Sequence, residues 1–391
     1  MGNETVEASP QRDDACADGD GEPRHLPVKQ RAMRLTWAWF SCTMSTGALA
    51  SLLGQQPFSF PGLNVIGRVV FIIDIVLFCL FSSLICLRFL RTPRALASSL
   101  HQPDECFFFG AFWVSLALIL YGMSAYGIPG LGGSSAWLVS ALRVLFWAYF
   151  ACAMLLAVIQ CAAVPAWVLP SYPFLVAGPL AAQIAKSQPD ESAVQIIVAG
   201  IAGQGLGWIL ALLIYNLYFM RLAKSDLPGP SERPDTCAGL IALGQQGRHQ
   251  LPNVYLGLSS IDARDVWYAV SVPAGLFLWM VALWFAGLTT LSVIRGVKQM
   301  RFVLQWWAFV FPNAGLAIAT IKLGTALDSN GLKAFASGLT VILCLLWLLC
   351  AGTHIWSIWH HGILCPGKDP GIDDGPSTNA SWSSRHPKRD V

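Results

Sequence analysis

The amino-acid sequence reads as an all-α membrane protein with ten transmembrane helices. Composition, the length of the apolar runs and the placement of the basic residues lead there. Of 391 residues, 55% are hydrophobic and 12% charged, and the mean hydropathy is +0.55. Soluble domains carry about 25% charged residues, so much of this surface cannot face water. Sixteen Trp and 21 Phe suit long lipid-facing and interfacial surfaces. A helix that crosses a hydrocarbon core needs about 20 mainly apolar residues. The runs that qualify are 36–54, 65–90, 107–127, 136–162, 166–185, 193–220, 240–258, 266–294, 303–327 and 335–360. The seventh is the weakest, interrupted by Gln245, Gln246, Arg248, His249, Gln250 and Asn253.

Charge placement supports ten spans over nine. With ten, both tails and the loops after even-numbered spans share one side. That side holds 18 of the 25 Lys and Arg, including the clusters Arg88, Arg91, Arg94 and Arg295, Lys298, Arg301. The opposite side holds only Arg68, Lys186, Arg264 and Lys333. Short-loop basic residues stay in the cytoplasm, so both termini are expected there. Residues 1–33 and 363–391 are polar and read as disordered cytoplasmic tails flanking a membrane domain over 34–362. The sequons at Asn3 and Asn379 fall in those tails and are expected to be unglycosylated.

Several spans differ from plain lipid-facing helices. The fifth carries Pro165, Pro170, Pro173 and Pro179, and the ninth carries Pro312 after Trp306, Trp307, Phe309 and Phe311. A membrane helix tolerates proline kinks where protein or a watery cavity satisfies the freed carbonyls. The first span groups Thr43, Ser45, Thr46 and Gly47, residues that allow close helix approach or line a polar path. Any one of these features is explained by packing. Their concentration in odd-numbered spans predicts a central conduit with odd spans inside and even spans outside.

Ionisable residues within spans are costly, about 3 kcal/mol each on insertion scales. Among them are Asp74, Arg143, Arg248 and Lys322. Lys322 and Arg143 stand near span ends and can snorkel. Asp74 lies deeper, and pairing with Arg143 at similar depth would stabilise both. Structural pairing and a substrate or proton role both remain open for these groups.

Other classes lack their chemistry. No Walker motif, HExxH or GxSxG is present, which excludes their nucleotide, zinc-protease and hydrolase chemistry; no enzyme activity, cofactor or metal is expected. A net charge of +3 without a basic patch gives no footprint for nucleic acid. The eleven Cys contain no CxxC pair, and most lie in apolar runs as small hydrophobes.

Seven segments together carry a resemblance. TWAWFSCTMSTGALASLL (36–53), FPGLNVIGRVVFIIDIVLF (60–78), HQPDECFFFGAFW (101–113), ALRVLFWAY (141–149), PAWVLPSYP (165–173), IIVAGIAGQGLGWILALLIY (196–215) and WWAFVFPNAGLAIATIKLG (306–324) resemble the fungal malic acid transport proteins. Those belong to the tellurite-resistance/dicarboxylate transporter family, with slow anion channels and sulfite efflux pumps. The resemblance implies five helical hairpins around a pseudo-fivefold central pore lined by odd-numbered helices, and a homotrimer. It also implies an aromatic pore gate at Phe311, just before Pro312. The segment 160–165 joins spans four and five more directly than in those relatives. Around the seventh span, Arg233-Pro234 is kept, whereas the family's Gly-Pro-Pro is not.

The functional expectation is a plasma-membrane carrier for small organic anions, C4-dicarboxylates such as malate first. Arg143, Arg248, Lys322, Thr46 and Gly47 are the substrate-binding candidates and Asp74 the proton-coupling candidate. Pro165, Pro170, Pro173 and Pro312 are expected as helix kinks lining the pore. The alternatives are a passive anion channel, a sulfite efflux pump, or an exporter of an organic acid from a fungal biosynthetic pathway.

Overall fold

The computed structural model describes residues 35–93, 95–96, 99, 103–163, 171–224, 263–296 and 302–360. The predicted seventh span, Arg248, Pro165 and Pro170 lie outside the described residues. Helices account for the other nine spans: α1 Phe40–Leu53, α2 Leu63–Arg91, α3 Pro103–Gly122, α4 Ala136–Ala163, α5 Ser171–Ala185, α6 Asp190–Lys224, α7 Ala263–Gly296, α8 Phe311–Ala326 and α9 Asn330–Trp359. Among the described residues no strand is present. Among the described residues seven helices are long and apolar enough to cross a membrane, and the protein is accordingly a multi-pass membrane protein.

Local sequence explains the helix ends. Proline fits a first turn, where the lost N–H has no helical partner, and Pro312 is the second residue of α8. Asp190 and Glu191 occupy the first turn of α6, where carboxylates oppose the helix dipole. The Ser329 hydroxyl caps α9 by accepting from the Leu332 N–H at 3.4 Å. Gly62, immediately before α2, adopts φ 101°, a backbone conformation that side chains disfavour. Beyond α3 the third span widens into a π-helical turn, Met123–Gly127. That turn aims Tyr126 at α1, where its hydroxyl donates to the Ala50 carbonyl at 2.6 Å.

The expected division between inner and outer spans is visible in burial and contacts. In the most apolar 18-residue window of each, 56% is buried within Phe108–Ser134 and 50% within Leu304–Ala326, both from odd-numbered spans. The five even-numbered spans range from 17% to 39%. The helix α1 touches both α3 and α8, and α3 touches α5, so the described odd-numbered spans form a continuous series. Around it, α2 packs on α1, α6 and α4 on α5, α7 on α8, and α9 on α8 and α1. One apolar cluster draws side chains from every described odd-numbered span: Ala48 and Leu49 of α1, Val114 of α3, Tyr172 and Val176 of α5, and Ala314 and Phe311 of α8.

At the face where α2 ends and α3 begins, Arg88 donates to Glu105 Oε1 at 2.6 Å and to the Leu35 carbonyl at 2.8 Å. Glu105 is 1% exposed. Burial raises its carboxyl from the ordinary value, and the Arg88 guanidinium pulls the other way. The pair ties the chain ahead of α1 to the adjoining ends of α2 and α3.

Two expectations change. The kink expected at Pro312 is a helix start: Pro312 lies in the first turn of α8, where no helical hydrogen bond is lost. The Asp74–Arg143 pair does not form. Arg143 donates instead to Ser192 Oγ at 3.0 Å, joining α4 to the first turn of α6.

Candidate functional site: an interrupted span clamped by α1

The ninth span is not one helix. A 3₁₀ segment, Leu304–Phe309, leads through Val310 into α8. Such an interruption frees carbonyls that lipid cannot satisfy, and nearby groups meet them. Ser45 Oγ of α1 donates to the Trp307 carbonyl at 2.7 Å. Cys350 Sγ of α9 lies 3.6 Å from the Trp306 carbonyl, and Asn313 Nδ2 donates to the Phe309 carbonyl at 2.8 Å. The TMSTG segment of α1 and the WWAFVFPN segment thus meet directly, although Ser45 and Trp307 stand 262 residues apart.

Phe311 opens α8 immediately after this break. Its half-buried side chain packs against the cluster shared by α1, α3, α5 and α8, and an aromatic ring so placed can close a narrow path by size and dewetting.

The hydroxyls of Thr43 and Thr46 in α1 are engaged as well. Thr43 Oγ1 donates to the Phe40 carbonyl at 2.9 Å and lies 2.8 Å from Ser115 Oγ of α3. Thr46 Oγ1 donates to the Cys42 carbonyl and accepts from Trp347 Nε1 of α9 at 3.0 Å. Gly47 allows α2 and α3 to come close: a methyl group there would lie 2.7 Å from Asp74 Oδ2 and 2.9 Å from Leu118 Cβ. Asp74 is fully buried behind α1, and neither carboxylate oxygen has a hydrogen-bond partner.

Lys322 lies 11 residues beyond Phe311, about 16 Å along α8 at 1.5 Å per residue. It is half-buried and within electrostatic reach of Lys186, which follows α5. Lys186 Nζ donates to Gln183 Oε1 at 2.8 Å, and burial lowers its ammonium group from the usual lysine value. Two cations are thereby held at the ends of two odd-numbered spans. By charge placement alone Lys186 is one of four basic residues in loops of its side; its position directly after the apolar run of span five is the signal that marks it out.

Set beside known proteins, the chain has relatives in sequence. The family described as voltage-dependent anion channel (SLAC1) matches residues 34–355. The chain belongs to that family. This member is 30% identical over 403 residues to the malic acid transport protein of Schizosaccharomyces pombe, with 96% of the chain and 90% of that protein covered. A putative malic acid transport protein of the same organism is 27% identical, covering 89% and 85%. The sulfite efflux pump SSU1 of Trichophyton rubrum is 27% identical, covering 80% and 87%.

Proposed function

We propose that the protein moves small organic anions across a membrane, with C4-dicarboxylates such as malate as its substrate class. The observation that carries this reading is Phe311, placed at the start of α8 against a cluster to which every described odd-numbered span contributes. The likeness to the malic acid transport protein over nearly the whole chain favours malate.

In this reading the odd-numbered spans line the passage. Five hairpins then surround a pseudo-fivefold axis. A dianion in such a passage needs fixed positive potential. Lys186 and Lys322 supply it at one end, and Arg248 is the candidate from the seventh span. Arg143, bound to Ser192 between two outer helices, serves packing. Thr46 and Gly47, turned to α9 and to α2 and α3, shape the wall rather than touch the substrate.

Asp74 is the proton-coupling group. A bare buried carboxylate costs several kcal/mol, so binding or losing a proton there changes how α2 sits on α1. The same reading takes the protein as a plasma-membrane homotrimer whose tails, 1–33 and 363–391, are cytoplasmic. A second reading, sulfite export, follows from the sulfite efflux pump relative.

Counterflow in vesicles containing the purified protein tests these readings. Labelled malate is expected to exchange saturably, with sulfite and chloride as competitors. Phe311→Ala is expected to raise unidirectional anion leak about tenfold, equivalent to a barrier lower by ~1.4 kcal/mol. Lys186→Ala and Lys322→Ala should each raise the half-saturating malate concentration up to about tenfold. Sulfite exchange without malate exchange would select the second reading. Vesicles that move no anion, with Phe311→Ala silent, would end both.

A further inference from the structure

Trp307 is 1% exposed, and its indole N–H donates to His354 Nδ1 of α9 at 3.3 Å. A donor arriving at Nδ1 requires that nitrogen to be bare, so the neutral ring carries its proton on Nε2. Nε2 is buried with no partner. The His354 ring sits between Trp39, at 4.9 Å, and Phe302, at 5.5 Å, with Trp307 edge-on at 6.0 Å. Packing alone gives no reason for a histidine there. A phenylalanine would fill an aromatic cage without burying an unsatisfied N–H, which is costly. What His354 adds is an acceptor for a buried indole, which otherwise has none.

That acceptor acts on a residue four positions before Phe311. Trp307 is held twice: its carbonyl by Ser45 of α1, and its side chain by His354 of α9. The 3₁₀ segment is clamped between two helices, and the clamp sets where α8 begins and how Phe311 leaves it. We propose that His354 is a positioning residue for the Phe311 gate, acting through Trp307. The inference rests on the pore reading above and adds to it a residue that touches neither substrate nor gate.

The test compares two substitutions that separate hydrogen bonding from packing, in the full-length protein in vesicles with chloride efflux as the probe. His354→Phe keeps the ring and loses the acceptor; His354→Asn keeps an acceptor and loses the ring. A positioning role predicts leak about fivefold above wild type for His354→Phe, the worth of one net hydrogen bond, and near wild type for His354→Asn. A packing role predicts the reverse order, and that order would overturn the inference. Trp307→Phe, which removes the donor, should leak as His354→Phe does, with no further leak in the double variant. If His354→Phe does not assemble, Trp307→Phe carries the test, and a tight Trp307→Phe variant overturns it. Phe311→Ala separates the two levels. If it leaks while the His354 and Trp307 variants stay tight, only the role of His354 falls; if it too is silent, the pore reading falls and takes this inference with it.

Discussion

Helices α1 and α2 are neighbours in sequence and nearly equal in average hydrophobicity, yet they occupy opposite environments. Every residue of α1 except Met44 is buried, whereas α2 buries seven of its 29. The buried set of α2 (Leu63, Gly67, Val70, Phe71, Asp74, Phe81 and Ile85) recurs at steps of three and four, one stripe of a helix. Its other faces present Val65, Ile72, Val76 and Leu80 outward, as lipid requires. α1 is built from small and hydroxylated residues whose polar atoms bond to its own carbonyls or to α3, α9 and the 3₁₀ segment. Within a membrane, helices do not gain from burying apolar surface away from lipid; close approach and hydrogen bonding bring them together. Hydropathy therefore identifies a crossing, and side-chain size and hydroxyl content place it.

Substitutions on the two helices sharpen the contrast. Gly47→Val should have the largest effect, about 3 kcal/mol of destabilisation, because its side chain has to displace Asp74 and Leu118. Thermal unfolding in detergent checks this, and wild-type stability would refute the close approach of α1 to α2. Asp74→Asn keeps the shape, so stability should stay within about 1 kcal/mol of wild type. If Asp74 couples protons to transport, wild-type malate accumulation rises as outer pH falls, and the Asn variant loses that rise while retaining exchange. An unchanged pH profile would remove Asp74 from the mechanism. The smallest effect belongs to the lipid-facing side of α2: Ile72→Ala, at a residue 58% exposed, should shift stability by about 0.5 kcal/mol or less.

Much of this organisation is legible in the sequence. Apolar length locates nine of the spans that the structure describes, and concentrations of proline and small residues indicate which lie inside. Depth within a span is also legible, and it led to pairing Asp74 with Arg143. Depth fixes one coordinate and leaves rotation about the bundle free. Asp74 faces α1 and α3, and Arg143 reaches Ser192 of α6. Proline content alone did not separate a kink from a helix start, since that depends on where the first turn forms, and at Pro312 the preceding 3₁₀ segment decides it. The bond from Ser45 to Trp307 was invisible for another reason. Each residue belongs to a recognisable segment, but nothing local states that the two segments meet.

The Arg88–Glu105 pair bears on how the molecule is made. All of its participants, Leu35, Arg88 and Glu105, belong to the first third of the chain, and none awaits a later helix. Once the start of the third crossing leaves the ribosome, the arginine can find its carboxylate and hold the first hairpin at one membrane face.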